Sequence, residues 1–168
     1  SWFILRGKAR CCGRPYSFRY AFVELLTAGL FLGCSLRFGP EKALIGFCGA
    51  PWTVASYMIA GGSSDRVVAK VAAYQRQPWF CALIERLVTE SIDYLSAQAD
   101  AGAEVVQIFD SWAGDLVGTE LEDFVMRPLA AIVAGVKARH PDLPVIVFAR
   151  GVGIAQRRAA VIPGANAV

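Results

Sequence analysis

One histidine in 168 residues, no CxxC pair among five cysteines and no phosphate-loop motif leave several chemistries without material. The lone histidine, His140, stands before Pro141 where a helical pattern stops. Zinc needs three or four ligands, and no spacing in this chain supplies them, so no metal site is expected and His140 reads as a helix-end residue near the negative end of the dipole. Neither Ser111 nor Cys48 has a histidine placed to act as its base, which removes a serine or cysteine hydrolase. Cys11, Cys12, Cys34, Cys48 and Cys81 make no stapling framework and read as free thiols of a reducing cytosol. With neither GxGxxG nor GxxxxGK[ST] present, dinucleotide and P-loop readings have no support. Gly61 and Gly62 in AGGSSD read as a turn.

Charge of one sign is also scarce where a nucleic acid would need it. Residues 1–40 hold six basic side chains and one acidic, whereas residues 41–168 hold eleven basic and thirteen acidic. The main part therefore has no basic stripe with interleaved aromatics, and no nucleic-acid partner is implied. The apolar run AFVELLTAGLFLGCSL, 21–36, follows Arg6, Lys8, Arg10, Arg14 and Arg19 in the manner of a signal peptide. It is short for a membrane span and contains Glu24, so it reads as a buried helix and no membrane partner is expected. The first residue is Ser1, not methionine, from which a start inside a longer protein is expected.

What is present is a hydrophobic content of 55%, enough for a packed core. From residue 41 short apolar runs alternate with long amphipathic stretches in the order of βα units. LIGFCG (44–49), VVQIFD (105–110) and PVIVFA (144–149) read as strands with aligned carboxyl ends, the first of them a parallel strand buried on both faces. Ala50, Pro51, Trp52 and Thr53 read as a loop over the carboxyl end of the first, which is where α/β sheets and barrels place their chemistry. Helices are expected at about 65–74 and 78–100, the second opening on Pro78 and carrying a stripe of Leu83, Leu87, Ile92 and Leu95. Gly102 is expected to end it. A helical region at 117–139 is expected to be interrupted or shifted near Pro128. Ile154 to Ile162 reads as a short helix, with PGANAV leading into a fourth strand in a unit cut by the end of the sequence.

Taken together, LIGFCGAPWTVASYMIAGGSS, YQRQP, YLSAQADAGAEVVQIFDSWAG and PVIVFARGVG resemble the central part of the uroporphyrinogen decarboxylases, over about residues 41–168. Residues 1–40 show no such resemblance and read as a separate basic and apolar segment, divergent or out of frame. The resemblance implies an α/β fold that is part of a (β/α)₈ TIM barrel, truncated at both ends. It implies a cytoplasmic, homodimeric parent enzyme without metal or organic cofactor that turns the four acetate arms of uroporphyrinogen, a tetrapyrrole, into methyls. By the same resemblance Tyr57 and Ser111 hydrogen-bond substrate carboxylates, and GAPWT shapes the loop carrying Tyr57. Phe109 would be an apolar wall and Asp110 an architectural residue, with Trp52 and Trp112 packed beneath the loops. Arg150 could meet a propionate or only a surface acid. The catalytic aspartate that gathers the pyrrole N–H groups is not found, since residues 1–40 contain no aspartate, so the catalytic residue is unknown and the chain alone is expected to be inactive. Rival expectations are a zinc-dependent corrinoid methyltransferase of the same superfamily and a non-catalytic barrel remnant.

Overall fold

Three runs rich in β-branched and aromatic residues form strands β1 (Ile45–Gly49), β2 (Val105–Asp110) and β3 (Val145–Ala149) in the computed structural model, which describes residues 44–60 and 66–168. The strands pair in parallel in the order β1-β2-β3, with Ile45 opposite Val105 and Val106 opposite Val145. Parallel neighbours cannot be joined by a tight hairpin, so helices make each return. Between β1 and β2 run α1 (Pro51–Ala60), α2 (Val67–Tyr74) and α3 (Pro78–Asp100). Between β2 and β3 run α4 (Gly118–Leu121), a π-helical turn (Glu122–Met126) and α5 (Arg127–Arg139). A short α6 (Gln156–Ala159) follows β3, and Ala167 then makes an isolated parallel bridge to Ile146, the one trace among the described residues of the expected fourth strand.

Local chemistry sets several of these boundaries. Pro78 occupies the first turn of α3, where its missing N–H loses nothing. The other end of α3 closes as a Schellman motif: Gly102 takes φ 104°, its N–H bonds the Ala99 carbonyl at 2.9 Å, and the Ala103 N–H bonds the Gln98 carbonyl at 2.9 Å. The interruption expected near Pro128 lies just upstream of it. Pro128 cannot donate to the carbonyl four residues back, and its ring crowds that turn. The ladder opens accordingly, and the Arg127 N–H bonds the Glu122 carbonyl five residues away. His140 caps α5, its N–H on the Val136 carbonyl at 2.8 Å and its ring 3.7 Å from Asp100.

Three expectations need correction. Residues 50–53 are not a loop. The Ala50 N–H bonds the Phe109 carbonyl at 2.7 Å, and Pro51, with φ already set for a helix, begins α1 directly on the sheet. β1 is also not buried on both faces, and its neighbours share the same one-sided burial. Val106, Ile108, Val145 and Val147 lie fully buried in one cluster with Phe80, Leu95, Val125, Leu129 and Ile132 from the helices. On the opposite face Ile45 is 52% and Phe47 60% exposed, and Phe47, Phe109 and Phe148 form a ladder of edge-to-face rings at 5.9 and 6.4 Å. No described element lies over that face. The stripe on α3 is shifted as well: Phe80, Ile84, Ser91, Leu95 and Ser96 are its buried positions, with Leu83, Leu87 and Ile92 packed at its margin.

The outer edge of β1 is closed by a side chain. Gln98 accepts the Phe47 N–H through Oε1 at 2.7 Å and donates Nε2 to the Phe47 carbonyl at 3.1 Å, standing in for a neighbouring strand. Gly46 makes room for it, since a Cβ there would lie 2.5 Å from Gln98 Oε1. No helix among the described residues is long and apolar enough to cross a membrane. The run at 21–36, Cys11, Cys12 and Cys34, and the turn at Gly61 and Gly62 lie outside the described residues.

Candidate functional site

Parallel pairing brings Gly49, Asp110 and Ala149 to one end of the sheet, so the segments that follow them are neighbours. After β1 comes α1, in which Thr53 and Tyr57 are four residues apart and share a face. After β2 come Ser111, Trp112 and a 3₁₀ turn, Ala113–Asp115. The Arg150 N–H bonds the Asp110 carbonyl at 2.9 Å, and the Gly114 N–H bonds the Arg150 carbonyl at 3.0 Å, lacing the turns after β2 and β3 together. The side chain of Arg150 faces solvent.

Both residues expected to bind substrate are at this end. Tyr57 is 58% exposed, and its ring meets that of Trp112 edge-on at 6.3 Å, next to half-buried Ser111. Trp52, expected beneath the loops, is wholly buried, with its Nε1–H donated to the Trp112 carbonyl at 2.8 Å. Phe109, expected as an apolar wall, is half-buried on the face of the sheet it shares with Phe47 and Phe148.

Asp110 is the buried polar centre of the site. Its Oδ1 accepts the Thr53 hydroxyl at 2.7 Å, and Thr53 Oγ1 in turn accepts the Trp112 N–H at 3.3 Å. Burial pushes the Asp110 carboxyl up to about 7; the Thr53 hydroxyl and the Trp112 amide offset part of that rise, and the charge on Asp115 adds to it. Among the described residues Asp110 Oδ2, Ser56 Oγ and Trp112 Nε1 are buried without a hydrogen-bond partner.

Arg66 and Asp115 belong to the same end, and sequence reasoning missed them. Arg66 holds Asp115 through Nε at 2.6 Å and Nη2 at 3.3 Å, and its guanidinium lies 3.7 Å from the centre of the Trp112 ring. Lys70 approaches the same carboxylate at 3.6 Å. Arg66 sits at φ 52°, a left-handed conformation uncommon for a side chain of this size, and the ion pair and ring stack hold it there. Forty-nine residues separate the pair and no local spacing announces it. Thr53 was legible in principle: with Pro51 as the first helical position, Thr53 and Tyr57 fall on one face.

Elsewhere, a hollow of about 510 Å³ is bounded by Phe47, Cys48, Val54, Leu87, Ser91 and Tyr94 and touches neither Tyr57 nor Ser111. Burial pushes the Cys48 thiol there up to about 11, against a smaller opposing effect of Ser91, so this cysteine stays protonated and unreactive.

Comparison with known proteins gives two family matches. A family model described as uroporphyrinogen decarboxylase matches residues 23–168, and one described as the bacterial peptidase A24 N-terminal domain matches residues 1–38. The chain is 54% identical over 114 residues to a uroporphyrinogen decarboxylase of Paracoccus denitrificans, covering 67% of this chain and 33% of the relative. It is 50% identical over 129 residues to one of Agrobacterium fabrum, covering 76% of this chain and 38% of the relative. It is 52% identical over 114 residues to one of Roseobacter denitrificans, covering 67% of this chain and 33% of the relative. The chain thus spans little more than a third of the length of the curated relatives it matches. With a family match from residue 23 to residue 168 and relatives half identical to it, the chain belongs to the uroporphyrinogen decarboxylase family.

Proposed function

We propose that these residues are part of a uroporphyrinogen decarboxylase, whose whole barrel removes carbon dioxide from the four acetate arms of the macrocycle. The observation that carries this reading is the meeting, at one end of a parallel sheet, of α1 with Tyr57 and the turn with Ser111. Both side chains end in a hydroxyl that can donate to a carboxylate without adding charge, and Tyr57 is open to solvent. In this reading Tyr57 and Ser111 hold substrate carboxylates, and the cations Arg66 and Lys70, sharing the carboxylate of Asp115, favour an acidic ligand at this end.

The chemistry uses the substrate as its own electron sink. A proton added to a pyrrole makes the ring cationic; the electrons of the arm's C–C bond flow into it as carbon dioxide leaves. The resulting methylene carbon takes up a proton to become methyl, and the ring loses the proton it gained. The protein's share is to orient the arm, supply protons and favour positive charge on the ring. The Phe47–Phe109–Phe148 face, over which no described element lies, is the inner wall of a (β/α)₈ barrel whose other strands would cover it. The parent enzyme is cytoplasmic and homodimeric.

The test joins residues 44–168 to the flanking parts of the Paracoccus denitrificans relative. The chimera is expected to convert uroporphyrinogen to coproporphyrinogen, and the 168-residue chain alone, lacking the aspartate for the pyrrole N–H groups, is expected to show no turnover. A folded chimera without decarboxylation, or turnover by the chain alone, contradicts the reading.

A further inference from the structure

Asp110 is wholly buried, its Oδ1 accepts the Thr53 hydroxyl at 2.7 Å and the Trp112 amide also acts on its carboxyl, yet among the described residues Oδ2 has no hydrogen-bond partner. Burying an ionisable group with an oxygen unsatisfied destabilises a fold, so cohesion alone is a poor account of this residue. Its connections lead toward the site. Asp110 Oδ1 to Thr53, Thr53 Oγ1 to the Trp112 N–H, and the Trp112 carbonyl to Trp52 Nε1–H form one chain of bonds at 2.7, 3.3 and 2.8 Å. That chain runs from the end of β2 into the first turn of α1, back to the turn beyond β2 and again to α1 at Trp52. Thr53 lies one helical turn before Tyr57, and Trp112 directly follows Ser111.

We propose that Asp110 is a positioning residue: through Thr53 and the Trp112 amide it sets the spacing between Tyr57 and Ser111, so that both hydroxyls meet the carboxylates of one ligand. This rests on the reading of Tyr57 and Ser111 given above. α3 also packs against β2, and among the ionisable groups around Asp110 it is the charge on Asp115 that acts on it. Tyr57 is the one titratable residue of α1 and Cys48 that of β1, while β3 has none. The turn after β2 brings Asp115, paired to Arg66 and Lys70 at the start of α2, and Arg150 follows β3. A charged Asp110 draws the Thr53 hydroxyl and the Trp112 amide more strongly than a protonated one, so its proton state reaches both segments at once.

The test uses the full chain labelled with ¹⁵N-tryptophan, whose four tryptophans give few signals. The Trp112 amide and the Trp52 indole N–H are expected to titrate together with a midpoint near 7, and to lose that titration in Asp110→Asn. Uroporphyrin, a stable octacarboxylate probe, is expected to bind roughly tenfold more weakly to Thr53→Val, the scale of one hydrogen bond to a charged group, and within about twofold of the parent to Thr53→Ser. Signals that do not move with pH, or that move equally in Asp110→Asn, overturn the proposal. So does equal uroporphyrin binding by Thr53→Val and the parent while Tyr57→Phe binds more weakly, and the substrate reading then stands. Coupled titration with uroporphyrin binding indifferent to both Tyr57→Phe and Ser111→Ala leaves the bond chain intact but removes its ligand, and so overturns both.

Discussion

Replacing Trp52 with alanine is expected to destabilise the chain by about 3–5 kcal/mol, a large part of the stability of a domain this size. Trp52 is fully buried and meets Phe80 edge-on at 6.1 Å, and Phe80 meets Phe124 at 5.1 Å, so a row of three rings that starts at this indole joins α1, α3 and the π-helical turn. Truncation leaves a cavity among residues that cannot close on it, and it strips the Trp112 carbonyl of its 2.8 Å donor. Trp52→Phe keeps most of the volume and loses mainly the hydrogen bond, at a cost of about 1–2 kcal/mol. Urea denaturation of the two variants separates the packing loss from the polar one. A Trp52→Ala variant within about 1 kcal/mol of the parent contradicts the view that this residue ties the site to the core.

The second large effect depends on pH. The Asp110 carboxyl is pushed from 3.8 to about 7, first by burial, with Thr53 and Trp112 opposing and Asp115 reinforcing. In the unfolded chain it loses its proton near its ordinary value; in the folded chain it keeps the proton until about 7. Between those limits the unfolded state binds fewer protons, so stability falls as pH rises through the window and levels off above it. Each tenfold difference in proton affinity between the two states is worth about 1.4 kcal/mol, which bounds the loss at about 4 kcal/mol. Asparagine is neutral throughout. Asp110→Asn is therefore expected to match the parent at about pH 4 and to exceed it in stability at about pH 8, as urea midpoints at several pH values will register. A difference that does not change with pH contradicts the assignment.

The legibility of this fold follows the range of the forces involved. Helix α3 is expected over 78–100 and is found there because its ends are marked locally, by Pro78 at the start and Gly102 in the left-handed region after the end. β2 likewise has the expected limits, and β1 and β3 each begin one residue later than expected. The start of α1 reads as a loop because it follows the carboxyl end of a strand, where α/β folds place their loops; the role of Pro51 as first helical residue becomes clear only when the Ala50 N–H is seen engaged by β2. Pro128 announces a break, but the break falls before it, where the missing donor acts.

The site divides along the same line. Tyr57 and Ser111 came from the family resemblance, and the parallel order of the strands brings their segments together. Thr53 with Asp110 and Arg66 with Asp115 are separated by 57 and 49 residues and meet only in the fold. The exposure of Ile45 and Phe47 was hidden for another reason: an apolar run reads the same whether its second face is covered by its own chain or by something else.

Tyr57 and Ser111 act on one bound macrocycle in this reading, and a double-mutant cycle in the chimera puts that to the proof. Tyr57→Phe and Ser111→Ala are each expected to lower kcat/KM for uroporphyrinogen roughly tenfold, with the double variant losing less than the product of the two. Single variants that both retain the kcat/KM of the parent chimera contradict it.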